Sequence, residues 1–147
     1  KKKFGKKLLI LRISNIIGYK ENIKNHLHET FIDYFYKHAK RGIIFDNQKK
    51  FKDFISVQKF CQLLEMAIKK NLHGTFNFSI GRKVYLNDIV RWLNRFNKKK
   101  IKVIKLKEYK DESFYLNNSK LMRRIKIKNT LNELKTECMN LSKKLFN

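Results

Sequence analysis

The sequence predicts an α/β fold. Three observations carry that prediction. A short, nearly uninterrupted apolar run, Leu8–Ile13, has the character of a strand buried on both faces. Strand-like and helix-like segments then alternate down the chain. The 147 residues, 42% of them apolar, suffice for one domain with one core.

The first strand ends in Arg12-Ile13-Ser14-Asn15-Ile16-Ile17-Gly18, so small polar groups sit at its carboxyl end. That end is where open α/β sheets bind ligands. Residues 20–24 read as a loop, and Asn25 as the cap of a helix reaching about Arg41. His28, Phe31, Ile32, Phe35 and Ala39 form its apolar stripe and Gly42 its stop. His26, His28 and Glu29 lie close in sequence, but residues 26 and 28 face different sides of a helix, so no metal site is expected. Ile43–Asp46 is a short strand, followed by a turn at 47–50. Ser56 caps a helix running to about Lys70, with Val57, Phe60, Cys61, Leu64 and Ile68 as its buried stripe. Asn71–Gly74 is a break, Thr75–Ser79 an alternating strand, and Gly81 a turn.

Asn87 is placed as the cap of a helix burying Ile89, Trp92, Leu93 and Phe96. Ile101–Leu106 is a strand after the charge run at 98–100, and Ser113–Leu116 an extended piece entering a short helix over 118–124. Thr130–Phe146 is the last helix. Its Leu131, Leu134, Cys138, Leu141 and Leu145 repeat over about two heptads, fitting packing onto the domain better than a coiled coil.

The formal charge of +24 admits two readings. One is a polyanionic partner, nucleic acid or an anionic membrane. The other is composition: Lys, Asn, Ile and Phe are abundant and Pro is absent, as an AT-rich coding sequence would produce. The lysines are spread over every segment, and no nucleic-acid motif is present. The nucleic-acid reading rests on charge and on interleaved rings such as Tyr34, Tyr36 and Phe45, most of which fall on apolar stripes. It is kept as the alternative. No apolar run approaches the roughly 20 residues of a membrane helix. The basic start before Leu8 lacks a long apolar core and a cleavage site, so it is not read as a signal peptide. Two cysteines, Cys61 and Cys138, provide neither a disulfide framework nor a zinc spacing and fit a reducing, cytoplasmic setting.

Residue chemistry alone yields no catalytic constellation and no metal site. The stretch Leu11-Arg12-Ile13-Ser14-Asn15-Ile16-Ile17-Gly18, however, resembles the Leu-Arg-x-x-Asn-x-Tyr-Gly-Pro strand and turn of extended short-chain dehydrogenases, the NAD-dependent nucleotide-sugar epimerases, dehydratases and reductases. The helix stopping at Gly42 falls where that family has one. Lys52-Asp53-Phe54-Ile55-Ser56-Val57 resembles Arg-Asp-Phe-Ile-x-Val. Thr75-Phe76-Asn77-Phe78-Ser79-Ile80-Gly81 resembles the Tyr-Asn-Ile-Gly-x-Gly strand. Leu116-Asn117-Asn118-Ser119-Lys120-Leu121 resembles Leu-Asp-x-Ser-Lys-x, with a lean toward the dTDP-4-dehydrorhamnose reductase branch. Tyr19 stands in place of Pro, Lys52 in place of Arg, and Gln58-Lys59 in place of an acidic pair.

The resemblance implies the C-terminal portion of a Rossmann-like enzyme: late sheet strands at 8–13 and 75–79 plus a small α/β substrate-binding lobe, all within residues 1–147. By the resemblance, the family's nucleotide-binding Gly-x-x-Gly-x-x-Gly and catalytic Tyr-x-x-x-Lys would lie before Lys1. The expectation is therefore a portion without a catalytic residue, inactive alone and exposing an apolar sheet edge. By resemblance, Asn15 and Lys52 contact a nucleotide-diphosphate sugar, and Ser14 lies against the nicotinamide of NAD or NADP. A further cation, Lys107 or Lys110, stands before Ser113. Asn77 and Gly81 are structural. The parent would be a cytoplasmic enzyme of sugar or polysaccharide biosynthesis, with homodimers common to its kind.

Overall fold

In the computed structural model, residues 8–18, 31–46, 50–105, 113–127 and 130–146 are described. The expected cap at Asn25, the His26–His28–Glu29 group, the 47–49 turn, and Lys107 and Lys110 lie outside them.

The order of elements is β1 (Leu9–Ile13), β2 (Asn15–Ile17), α1 (Phe31–Ala39), β3 (Ile43–Asp46), β4 (Phe51–Lys52), β5 (Phe54–Ser56), α2 (Val57–Lys69), β6 (Gly74–Phe78), β7 (Val84–Tyr85), α3 (Leu86–Leu93), β8 (Lys102–Lys105), α4 (Ser119–Ile125) and α5 (Leu131–Phe146). Three ladders are parallel: β1 with β6, β2 with β5, and β3 with β8. The fourth, β4 with β7, is antiparallel. Parallel pairs need long crossovers. The partners of each parallel ladder are far apart in sequence, with helices lying between them, so the α/β expectation holds.

Two cores meet at β5. Phe54 faces a cluster of Ile17, Ile32, Phe35, Ala39, Val84, Trp92, Leu93, Leu134, Cys138 and Leu145. Its neighbour Ile55 faces the opposite cluster of Leu63, Ala67, Phe76, Phe78, Leu121 and Ile125. Successive strand residues point to opposite faces, so one three-residue strand serves both cores. The first core binds α1, α3 and α5 into a small lobe. The second closes α2 and α4 over β1–β6.

Several sequence expectations are corrected. β1 is only partly buried, and Ile13 is 45% exposed, because β6 is its one ladder partner among the described residues. On α2 the buried positions are Leu63 and Ala67; Val57 and Cys61 are exposed and Ile68 is 65% exposed. Of the expected stripe, Phe60 and Leu64 pack against the second core, while Val57, Cys61 and Ile68 turn outward. Asn87 is the second residue of α3, whose cap position is Tyr85, since the chain enters the helix straight from β7. Phe31 and Phe96 are exposed. The stop at Gly42 is confirmed. Its φ is +76°, and a Cβ there would stand 2.7 Å from the Lys100 carbonyl oxygen, which only glycine accommodates. Ser56 caps α2 by accepting from Lys59 N–H at 3.1 Å.

Candidate functional site

The carboxyl end of β1 is where Ser14 and Asn15 fall. β1 runs beside β6 as far as Ile13 opposite Phe78; Ser14 N–H then donates to the Phe78 carbonyl at 3.1 Å. At Asn15 the chain changes partner. Asn15 N–H donates to the Asp53 carbonyl at 3.2 Å, its side-chain amide donates to the same oxygen at 3.0 Å, and β2 continues along β5. Asn15 therefore clamps the point where the sheet strand crosses from one core to the other. Its Oδ1 and second N–H have no partner among the described residues.

Lys52 is the residue before Asp53, half-buried on β4 and paired with Val84. Asn15 is thus bonded to the residue that follows Lys52 in the chain. Ser14 is 6% exposed, and its Oγ has no hydrogen-bond partner among the described residues. A buried hydroxyl without a partner is uncommon in a folded protein.

Asp53 is the residue that the sequence reading passed over. It is fully buried. Its carboxylate accepts from Ile80 N–H at 3.0 Å, Gly81 N–H at 3.2 Å and Leu116 N–H at 3.0 Å. Burial pushes its carboxyl above the ordinary carboxylate range, opposed by the Leu116, Ile80 and Gly81 N–H groups and the Ser79 hydroxyl. Three chain segments that are remote in sequence thereby converge under Asn15. The signal was available in principle: an acid immediately before the apolar pair Phe54-Ile55 has to be buried with donors supplied.

Around that node, Asn118 Nδ2 donates to the Ser79 carbonyl at 2.8 Å and Asn77 Nδ2 to the Asn117 carbonyl at 2.7 Å. Gly81, at φ +78°, leaves room for the Asn118 side chain, which a Cβ would strike. Asn77 and Gly81 are structural, as expected. Among the described residues, no group of three or more His, Cys, Asp or Glu side chains could hold a metal ion, and no helix is long and apolar enough to cross a membrane.

No protein-family model matches the chain, and no curated protein matches it in sequence. Solved structures do match in fold. One is a UDP-N-acetylglucosamine 4-epimerase from Methanobrevibacter ruminantium M1, in complex with UDP-N-acetylmuramic acid. It is 18% identical at TM-score 0.76, over 97% of this chain and 47% of that one. Another is RMD from Pseudomonas aeruginosa complexed with NADPH, 11% identical at TM-score 0.73, over 95% and 47%. A third is TunA, an NAD-dependent NDP-hexosamine 5,6-dehydratase of tunicamycin biosynthesis, 16% identical at TM-score 0.72, over 95% and 45%. The chain has the fold of the C-terminal half of these Rossmann-like epimerase and dehydratase structures and spans about half their length.

Proposed function

We propose that residues 1–147 form the nucleotide-sugar-binding portion of an NAD(P)-dependent sugar epimerase, dehydratase or reductase. The observation that carries this reading is the junction at Asn15. A parallel strand ends in a half-buried amide with free hydrogen-bonding capacity, bonded to the carbonyl of the buried Asp53, the residue that follows Lys52 in the chain. Such an arrangement suits a diphosphate. The amide N–H donates to a phosphate oxygen while Oδ1 accepts from a sugar or ribose hydroxyl, and the Lys52 ammonium pairs with the charge. Lysine does so as a point charge, without the two-pronged grip of arginine.

The nicotinamide cofactor would supply hydride transfer to or from a sugar carbon. In this reading Ser14 contributes the orphaned Oγ, a hydrogen-bonding group facing the bound dinucleotide. The sequence contains no Gly-rich phosphate cradle, so the chain supplies one wall of such a site. The motifs that carry the resemblance do not include the family's catalytic Tyr-x-x-x-Lys, so the expected outcome for the 147-residue chain is no turnover of UDP- or dTDP-sugars with NAD or NADP. Turnover by the purified chain, followed by cofactor absorbance and product chromatography, would overturn the reading. A second check is genomic: the coding sequence upstream of Lys1 is expected to encode Gly-x-x-Gly-x-x-Gly followed by Tyr-x-x-x-Lys.

A further inference from the structure

A polar hollow of about 340 Å³ opens beside α4, and its lining includes none of Ser14, Asn15, Lys52 or Asp53. It is lined by Arg12, Thr75, Asn77, Asn117, Ser119, Lys120 and Arg123. Its volume is in the range of small-molecule sites. Its lining holds three cations, four neutral hydrogen-bonding side chains and no carboxylate.

Two features set it apart from the lysine-rich surface at large. First, the cations come from different elements. Arg12 is on β1, opposite Asn77 of β6, while Lys120 and Arg123 are on α4. Folding, not local sequence, gathers them. Second, the walls are fixed. Lys120 Nζ donates to the Thr75 carbonyl at 3.0 Å and stands 4.7 Å over the Phe76 ring. Asn77 Nδ2 is tied to the Asn117 carbonyl, and Asn117 Oδ1 accepts from Ser119 N–H at 2.9 Å. Neither Arg12 nor Arg123 has a carboxylate partner among the described residues. Two guanidinium forks beside an anchored ammonium, with no acid to neutralise them, match an anion with several charged oxygens.

We propose that this hollow is a binding site for a di- or triphosphate group, held by Arg12 and Arg123 with Lys120 as a fixed third charge. The proposal is independent of the nucleotide-sugar reading, whose residues lie elsewhere. Inorganic pyrophosphate and a nucleoside triphosphate present the same group and are the two probes.

The test titrates each probe into the 147-residue chain by calorimetry at constant ionic strength. Wild type is compared with Arg12→Gln, Arg123→Gln and, from the exposed charge run, Lys99→Gln. The expected result is saturable one-site binding, weakened at least tenfold by either arginine substitution and unchanged by Lys99→Gln. Equal affinity for both probes would assign the site to the phosphates alone; tighter triphosphate binding would add a contact to the nucleoside. Arg123 is exposed on its helix, so its variant keeps the fold even if Arg12→Gln does not. As a second readout on wild type, pyrophosphate is expected to protect Arg12 and Arg123 from phenylglyoxal while leaving the other arginines reactive. Non-saturable binding, equal weakening by Lys99→Gln, or binding of single-stranded oligonucleotides that pyrophosphate does not displace would each overturn the proposal.

Discussion

Asp53 concentrates more structural consequence than any residue singled out in the sequence. Truncating it orphans three backbone N–H donors, at a cost of roughly 1–3 kcal/mol each when buried. Asp53→Ala is therefore expected to lower the urea midpoint sharply, and a shift below about 1 kcal/mol would contradict the role assigned here. The cysteines divide by environment. Cys61 is exposed, whereas Cys138 is buried, and burial, with a smaller contribution from Glu137, pushes its thiol up to about 12. A thiol reagent should label Cys61 in the native chain and Cys138 only on unfolding. The same shift sets a pH dependence. The folded thiol stays protonated where the unfolded one, near 9, ionises. Its contribution is thus complete below pH 9 and declines as pH rises toward 12, by at most about 1.4 kcal/mol per pH unit. Wild type should lose stability over that window more steeply than Cys138→Ala. Parallel profiles would refute the assignment.

At the scale of elements, α5 begins with a reciprocal cap. Glu133 N–H donates to Thr130 Oγ1 at 3.2 Å, and Thr130 N–H donates to Glu133 Oε2 at 2.7 Å. Glu133 Oε1 also meets Lys59 Nζ of α2 at 2.8 Å, so the cap doubles as a tie between helices. Partial burial raises the Glu133 carboxyl, but the Lys59 and Thr130 bonds outweigh it and hold it below the ordinary range. That stability is present above the ordinary glutamate range and is lost as pH falls through the lowered value. Thr130→Ala is expected to cost about 1 kcal/mol, measured as a drop in Tm, and to blunt the acid-limb difference between wild type and Glu133→Gln. Ser56 as a cap, Gly42 as a stop and Thr130 as the start of the last helix were legible in the sequence, because helix ends are local chemistry. The buried face of α2 was legible only in part. It carries apolar residues on two adjacent stripes, and periodicity does not say which one the sheet will contact. Motif resemblance singled out Asn15 and Lys52 as candidates. The role of Asp53 was not legible, since its donors come from residues 80, 81 and 116, and such long-range pairing leaves no local trace.

For the whole molecule, the open side of β1 and the +24 charge oppose each other. Among the described residues β1 has β6 as its one ladder partner, and an open strand edge with Ile13 exposed favours self-association. Net charge of one sign resists it, and salt screens that resistance. Sedimentation of the 147-residue chain should therefore show oligomers that grow with salt as well as with concentration. A monomer unchanged by salt, with a sharp cooperative melt, would count against an open edge. A nucleic-acid complex would show the opposite sign, weakening as salt rises.

The three residues Phe54–Ser56 have a further implication for how the chain comes apart. Their alternate side chains belong to different cores, so neither lobe can open fully without exposing its half of the same strand. Hydrogen exchange would register this as one slow class: amides of β5 exchanging at the rate of the most protected positions in both α2 and α3. The hinge between the lobes is then the least yielding part of the molecule, and the site at Asn15 rests directly on it.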